Sequence, residues 1–299
     1  MSFSSNSKAE ICKLPTEQKC CSIAECYGIL LYGNTFNSRE IRLITGSRII
    51  GQRIIDQFKN AFSLDFDIHP AAGKTGKQSY IINSSQKIKQ IFETYGLPID
   101  KLLAHHVNLS VLEEECCCRS FIRGTFLTGG AITDPTKSYH LELVTDRYNV
   151  SKQTFSLLSE MDFRPKETSR SGNYIIYFKQ SAAIEDFLTF IGAPLHAMKL
   201  MSTKIEKDVR NVINRKVNCD TANVSKTVDA AVAQISAINL LKDNGKFIFL
   251  PEKLKITADL RARNPELSIK ELAELFTPAV SKSCLNHRLR KLVEMSKAV

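Results

Sequence analysis

Asn286 and Arg290 stand one helical turn apart in SKSCLNHRLRKL (Ser281 to Leu292), and both belong to the residue types that make two-point hydrogen bonds to base edges. Ser283 and His287 share their face, while Lys282, Arg288 and Lys291 flank it, where cations suit phosphate oxygens. The chemistry on offer is recognition of a nucleic acid. The competing reading is a solvated basic face on an ordinary C-terminal helix.

Two elements must position that face. Ser281 can cap a helix whose opposite side carries Leu285, Leu289, Leu292 and Met295 at helical spacing. Upstream, Ser268 followed three residues later by Glu271 is a capping box, and Ile269, Leu272, Ala273 and Phe276 continue at helical spacing until Pro278 interrupts. Two helices joined by a short turn predict a helix-turn-helix, with the second helix entering the major groove and Ser268 and Lys270 of the first beside the backbone. A helix capped by Asp220 or Asn223 and running to Leu241, and another from Leu254 to Arg263, would complete a bundle of three to four helices.

The charge distribution favours this reading. Residues 204–299 hold 18 Lys plus Arg against 11 Asp plus Glu, a net of +7 out of the overall +10. A basic excess concentrated on one domain is the footprint of polyanion binding. A membrane surface is the weaker candidate, since these cations lie on short helices without an aromatic insertion face. The N-terminus has no apolar targeting core and no apolar run is long enough to span a bilayer, so a cytoplasmic, nucleoid-associated protein is expected.

The remaining two thirds of the chain repeat themselves. CCSIAECYGILLYGN (Cys20 to Asn34) realigns without a gap on CCCRSFIRGTFLTGG (Cys116 to Gly130) at an offset of 96 (124 − 28), and IFETYGLP (Ile91 to Pro98) on FLTFIGAP (Phe187 to Pro194) at the same offset. Gly28 and Gly33, repeated as Gly124 and Gly129, lie in helical sequence, where each glycine costs about 1 kcal/mol relative to alanine. Close approach of two helix backbones compensates that cost. The domains expected are 1–203, made of repeats at about 20–110 and 116–203; a linker at 204–222; and a helical DNA-binding domain at 223–299.

Two glycine-bearing helices, each followed by strand-like runs (Ile41 to Thr45; Tyr139 to Thr145), resemble the central helices of the LAGLIDADG homing endonucleases. The resemblance implies an α+β, pseudo-twofold domain of two αββαββα-type repeats, followed here by an all-α domain. It also implies an acidic residue just before the last glycine of each motif, to hold divalent metal at the axis. In this chain those positions are Gly33 and Gly129, which offer no ligand oxygen, so a catalytically inactive scaffold is expected. FIRGTFLTGGAITDP with YHLEL, the joint NRKVNCDTANVSKT (Asn214 to Thr227) and SKSCLNHRLRKL together resemble the WhiA family of bacterial sporulation regulators. That resemblance implies a transcriptional regulator on promoter DNA that also influences cell division and chromosome segregation, in species that sporulate and in others that do not.

Other residues are weighed against blander roles. Lys74 and Lys77 on one hairpin tip, with Lys166 and Arg170 on the matching one, are candidate backbone contacts or solvated loop cations. Asn214, Arg215, Asn218, Asn223 and Lys226 either set the angle of the domain joint or touch DNA. AAGKT (Ala71 to Thr75) lacks the upstream glycine of a phosphate loop, and His105-His106 suits a structural connector. Five of the nine cysteines fall in the tandem runs Cys20-Cys21 and Cys116-Cys117-Cys118. Neighbouring helical residues point about 100° apart, so one run cannot present all its sulfurs to one ion; reduced thiols packed as small hydrophobes are expected, with a redox switch across the pseudo-axis as the alternative. Cys284 and His287 have ligand spacing but no second pair, so neither metal nor cofactor is expected. The function expected is sequence-specific regulation, with a second regulatory or transcription protein engaging the N-terminal domain. The alternatives are a nucleoid or division scaffold and a residual nuclease.

Overall fold

The computed structural model describes residues 2–15, 18–70, 76–99 and 104–297. The chain folds as two compact units, Met1–Lys207 and Asp208–Val299. The first unit is built on helices α2 (Lys19–Leu31) and α5 (Glu115–Gly129), which run side by side in the same direction. The glycines explain their closeness. A Cβ added to Gly28 would strike the Phe121 carbonyl oxygen, and one added to Gly124 the Glu25 carbonyl oxygen, so backbone meets backbone at this crossing.

Each central helix leads into its own antiparallel sheet. In the first repeat β1 (Thr35–Phe36), β2 (Ile41–Thr45) and β3 (Gln78–Ile82) lie in that order, with helices α3 (Arg48–Phe62) and α4 (Ser85–Thr94) following β2 and β3. In the second, β4 (Gly130–Ile132), β5 (Leu141–Thr145), β7 (Asn173–Phe178) and β6 (Lys166–Arg170) are neighbours in that order, with α6 (Tyr148–Glu160) and α7 (Ser181–Ile191) in the corresponding places. Among the described residues, the strand equivalent to β6 is represented in the first repeat by a single bridge, Ile68 to Ile81. The ends of α4 and α7 keep the duplication, since Gly96 and Gly192 take φ of +63° and +93°, the left-handed conformation in which glycine closes a helix.

One element escaped the sequence reading. Helix α1 (Phe3–Ile11), capped by Ser2, buries Phe3 and Ile11 in the first unit's core, and its half-buried Lys8 donates to the Leu127 carbonyl at 3.1 Å. Burial lowers the Lys8 ammonium to about 8. A second difference concerns the joint. Residues 204–222, expected as a linker with a polar helix-like stretch from Thr203 to Arg215, lie in one continuous helix, α8 (Pro194–Asp243), and neither Asp220 nor Asn223 caps a helix start. From Leu195 to Asn244 the chain contains no glycine or proline to break a helix, whereas Pro194 opens it and Gly245, at φ +69°, follows its end.

The second unit folds the end of α8, α9 (Glu252–Arg263), α10 (Ile269–Glu274) and α11 (Lys282–Ser296) around Ile238, Leu241, Leu254, Leu272, Leu285, Leu289 and Leu292. Among the described residues no helix is long and apolar enough to cross a membrane.

Candidate nucleic-acid interface

Helix α10 starts where its sequence signal lies: the Ser268 hydroxyl accepts from the Glu271 amide at 3.3 Å, and the Glu271 carboxylate accepts from the Ser268 amide at 2.8 Å. Helix α11 begins at Ser281, whose hydroxyl accepts from the Cys284 amide at 3.2 Å. With both starts fixed, the rotation of α11 follows from its leucines. Leu285, Leu289 and Leu292 are buried, which leaves Ser281, Lys282, Ser283, His287, Arg290 and Lys291 exposed and Asn286 half-buried at the edge. Arg288 lies over the Phe276 ring at 5.6 Å, so part of its cation is engaged within the unit.

A cavity of about 210 Å³ adjoins the two helix starts, lined by Lys226, Lys270, Lys282 and Ser268 together with Gln234 and Arg261. The last two were missed in the sequence. Arg261 is 1% exposed and donates to the Leu267 carbonyl at 2.6 Å, tying α9 to the segment that enters α10. Its place on the apolar side of α9, beside Leu254 and Ala258, was the available signal. Of the joint residues, Lys226 alone lines this cavity; Asn214, Arg215, Asn218 and Asn223 are exposed along α8.

Lys166 and Arg170 are exposed on β6, at the edge of the second sheet, and Lys77 is exposed just before β3. Lys74 and the AAGKT segment lie outside the described residues. His105 stacks on Phe36 at 4.8 Å, and the His106 carbonyl accepts from the Tyr27 hydroxyl at 2.8 Å.

In the first unit, Gly33 and Gly129 are at the C-terminal ends of α2 and α5. A Cβ on Gly33 would run into the Leu43 side chain, and one on Gly129 into the Val144 carbonyl oxygen at 2.5 Å. A side chain at Gly33 would therefore push into its own sheet, whereas one at Gly129 would also strike the Tyr32 ring at the end of α2, at 2.6 Å. The same pole carries a cation: Arg147, at the start of α6, donates to the Leu30 carbonyl at 3.1 Å and to that of Leu31.

Midway along α2, Glu25 is 1% exposed and receives two hydrogen bonds of 2.8 Å from Arg53 of α3, with Arg123 of α5 at 3.5 Å. Burial alone would lower the Arg53 guanidinium, but the adjacent carboxylate raises it above its ordinary value. Arg53 also donates to the Leu14 carbonyl, and Arg123 to that of Ile191 at 2.9 Å. At the opposite pole the cysteine runs converge. The Sγ atoms of Cys20, Cys21, Cys116 and Cys117 lie within 4.8 Å of one another, the only such grouping of three or more His, Cys, Asp or Glu side chains among the described residues. The geometric objection to a metal therefore fails, because each run contributes two sulfurs and two helices bring them together. Burial pushes the Cys21 thiol up to about 11.

Two family models match the chain: the WhiA LAGLIDADG-like domain over residues 118–210 and the WhiA C-terminal HTH domain over 213–296. A relative from Ruminiclostridium cellulolyticum, named probable cell division protein WhiA, is 35% identical over 307 residues, covering 100% of this chain and 98% of its own. The chain belongs to the WhiA family. A second WhiA relative, from Macrococcus caseolyticus, is 34% identical over 99% of this chain and 96% of its own. The crystal structure of full-length WhiA from Thermatoga maritima shares the fold, with a TM-score of 0.61 at 24% identity over 100% of this chain and 99% of that one. A crystal structure of the N-terminal LAGLIDADG domain of a WhiA protein superposes on 64% of this chain with a TM-score of 0.50 at 20% identity, covering 92% of that chain.

Proposed function

We propose that this WhiA-family chain is a sequence-specific DNA-binding regulator that reads promoter DNA through α11 and carries the nuclease-like unit as a non-catalytic platform. The observation that supports this best is the exposed Lys282–Ser283–His287–Arg290–Lys291 face, with Asn286 at its edge, held outward by three buried leucines. Lys226, Lys270 and Lys282 around the adjoining cavity suit backbone phosphates, and Lys77, Lys166 and Arg170 are secondary contacts. Two observations speak against phosphodiester cleavage. Glycine occupies both acid positions, and Arg147 sits at the pole where a divalent cation would have to bind, repelling it.

The names of the relatives extend the proposal to cell division, and the family resemblance extends it to chromosome segregation and, in sporulating species, sporulation. The first unit would then engage a second transcription or regulatory protein, with the chain held at the nucleoid. Genome-wide occupancy of the tagged chain would supply its binding site. On that site, at one stated salt concentration, Asn286→Ala and Arg290→Ala should each cost about 1–3 kcal/mol while binding to random DNA stays nearly unchanged. Equal losses on both DNAs would remove base reading and favour a scaffold that coats the nucleoid.

A further inference from the structure

The start of the central helix pair has no part in the proposed DNA reading, yet it is the most chemically specific place in the first unit. Cys20 and Cys21 are the second and third residues of α2, and Cys116 and Cys117 the second and third of α5. The duplication relates the four as Cys20 to Cys116 and Cys21 to Cys117. Each run interacts with the other across the axis, Cys21 with Cys116 and Cys117 with Cys20, and Cys117 also interacts with its neighbour Cys116. Four sulfurs related in pairs by a twofold axis meet the symmetry of a tetrahedron, in which an ion on the axis sees equivalent partners. The third cysteine of the second run is excluded, since the Cys118 thiol donates to the Leu112 carbonyl at 3.1 Å.

The dimensions suit one soft ion. A tetrahedral site with metal–sulfur bonds of about 2.3 Å needs sulfurs about 3.8 Å apart. All four here are within 4.8 Å before any ion draws them in, so small side-chain rotations close the difference. The charge also suits. Four thiolates around a divalent ion carry two negative charges, and the adjoining cavity of about 90 Å³ is lined by Arg53, Arg119 and Arg123 against the single carboxylate of Glu25. Arg119 is paired with Glu115 at 2.6 Å through a terminal nitrogen, while its buried Nε has no hydrogen-bond partner. Both helices start without a side-chain cap and direct the positive ends of their dipoles toward these sulfurs.

We propose that Cys20, Cys21, Cys116 and Cys117 form a tetrathiolate site for one thiophilic divalent ion of the zinc class, clamping the two repeats together at the cysteine pole of the pseudo-axis. A tetrahedral all-sulfur set selects zinc or iron over the hard cations used in phosphodiester cleavage. Binding converts four thiols to thiolates and releases four protons to solvent, with no change of oxidation state.

The test uses the full-length chain, purified under reducing conditions without added metal and analysed by elemental mass spectrometry. We expect one zinc per chain, or one site that fills on zinc addition. Cobalt(II) should give the strong visible bands of a tetrahedral tetrathiolate, and zinc should erase them. A thiol reagent should then count four fewer reactive cysteines with metal than after chelation, a wild-type readout that does not depend on any variant folding. Cys116→Ser and Cys117→Ser should lose the ion, while Cys219→Ser and Cys284→Ser keep it. Metal removal should lower the melting temperature of wild type by several degrees. Absence of stoichiometric metal and of the cobalt bands would overturn the proposal. So would a metal-free protein in which mild oxidation links Cys20 to Cys117 and Cys21 to Cys116, because the cluster would then be a redox pair.

Discussion

Arginine serves opposite ends in the two units. In the first, Arg53, Arg123 and Arg147 are withdrawn from solvent, and their donors are directed at Glu25 and at the carbonyls of Leu14, Ile191, Leu30 and Leu31. In the second, Arg290 of α11 is exposed beside Lys282 and Lys291, on a helix whose buried side is leucine. A guanidinium whose hydrogen bonds are committed to the fold has few left for a phosphate, so the same residue type is mortar in one place and, on the proposed function, a reading head in the other. Net charge per domain favoured the second unit, and burial adds a reason: the first unit commits its most distinctive cations to its own interior.

The comparison breaks if the buried cations are dispensable. Arg53→Met would leave the Glu25 carboxylate buried with only the 3.5 Å contact to Arg123, and loss of one partner from a buried pair costs about 3–5 kcal/mol. Denaturant unfolding of the first unit's transition should register that loss; a change below about 1 kcal/mol would mean that water reaches Glu25 and that the cluster does not hold α2, α3 and α5 together. A smaller effect sharpens the same picture. Gly124→Ala inserts a methyl against the Glu25 carbonyl, and overpacking of this kind costs about 1–3 kcal/mol, which a shift in melting temperature would show. DNA affinity of the folded fraction should be unaltered in both variants.

Local signals in the sequence survived well. The Ser268–Glu271 box, the Ser281 cap and the leucine stripe each depend on residues within a few positions of one another, and Gly28 with Gly124 announced a close crossing, whereas Gly33 lies beyond the end of α2 and faces Leu43. Long-range pairings were not legible. Glu25 meets Arg53 at a separation of 28 residues and Arg123 at 98, and no periodicity encodes such partners. The two cysteine runs could be suspected of meeting across the pseudo-axis, but the spacing within each run did not show that four sulfurs from two helices would lie within 4.8 Å of one another. Helix α1 is short, with few apolar residues, and becomes a core element only through what it packs against. The helix-like character of Thr203 to Arg215 was legible, but not its continuity to Asp243, which follows from the absence of any breaker between Pro194 and Gly245.

The central claim is that the second unit, not the first, is the main DNA surface. Two full-length variants test it: Lys270, Lys282 and Lys291 changed together to Gln, and Lys77, Lys166 and Arg170 changed together to Gln. Affinity for the cognate site would be measured across a salt series, where each phosphate contact contributes about 0.9 to the slope of log affinity against log salt. The first variant should flatten the slope by about that amount for every contact removed and lose most of its affinity, while the second stays close to wild type. A second variant that loses more slope and more affinity than the first would place the DNA on the nuclease-like unit and contradict the account.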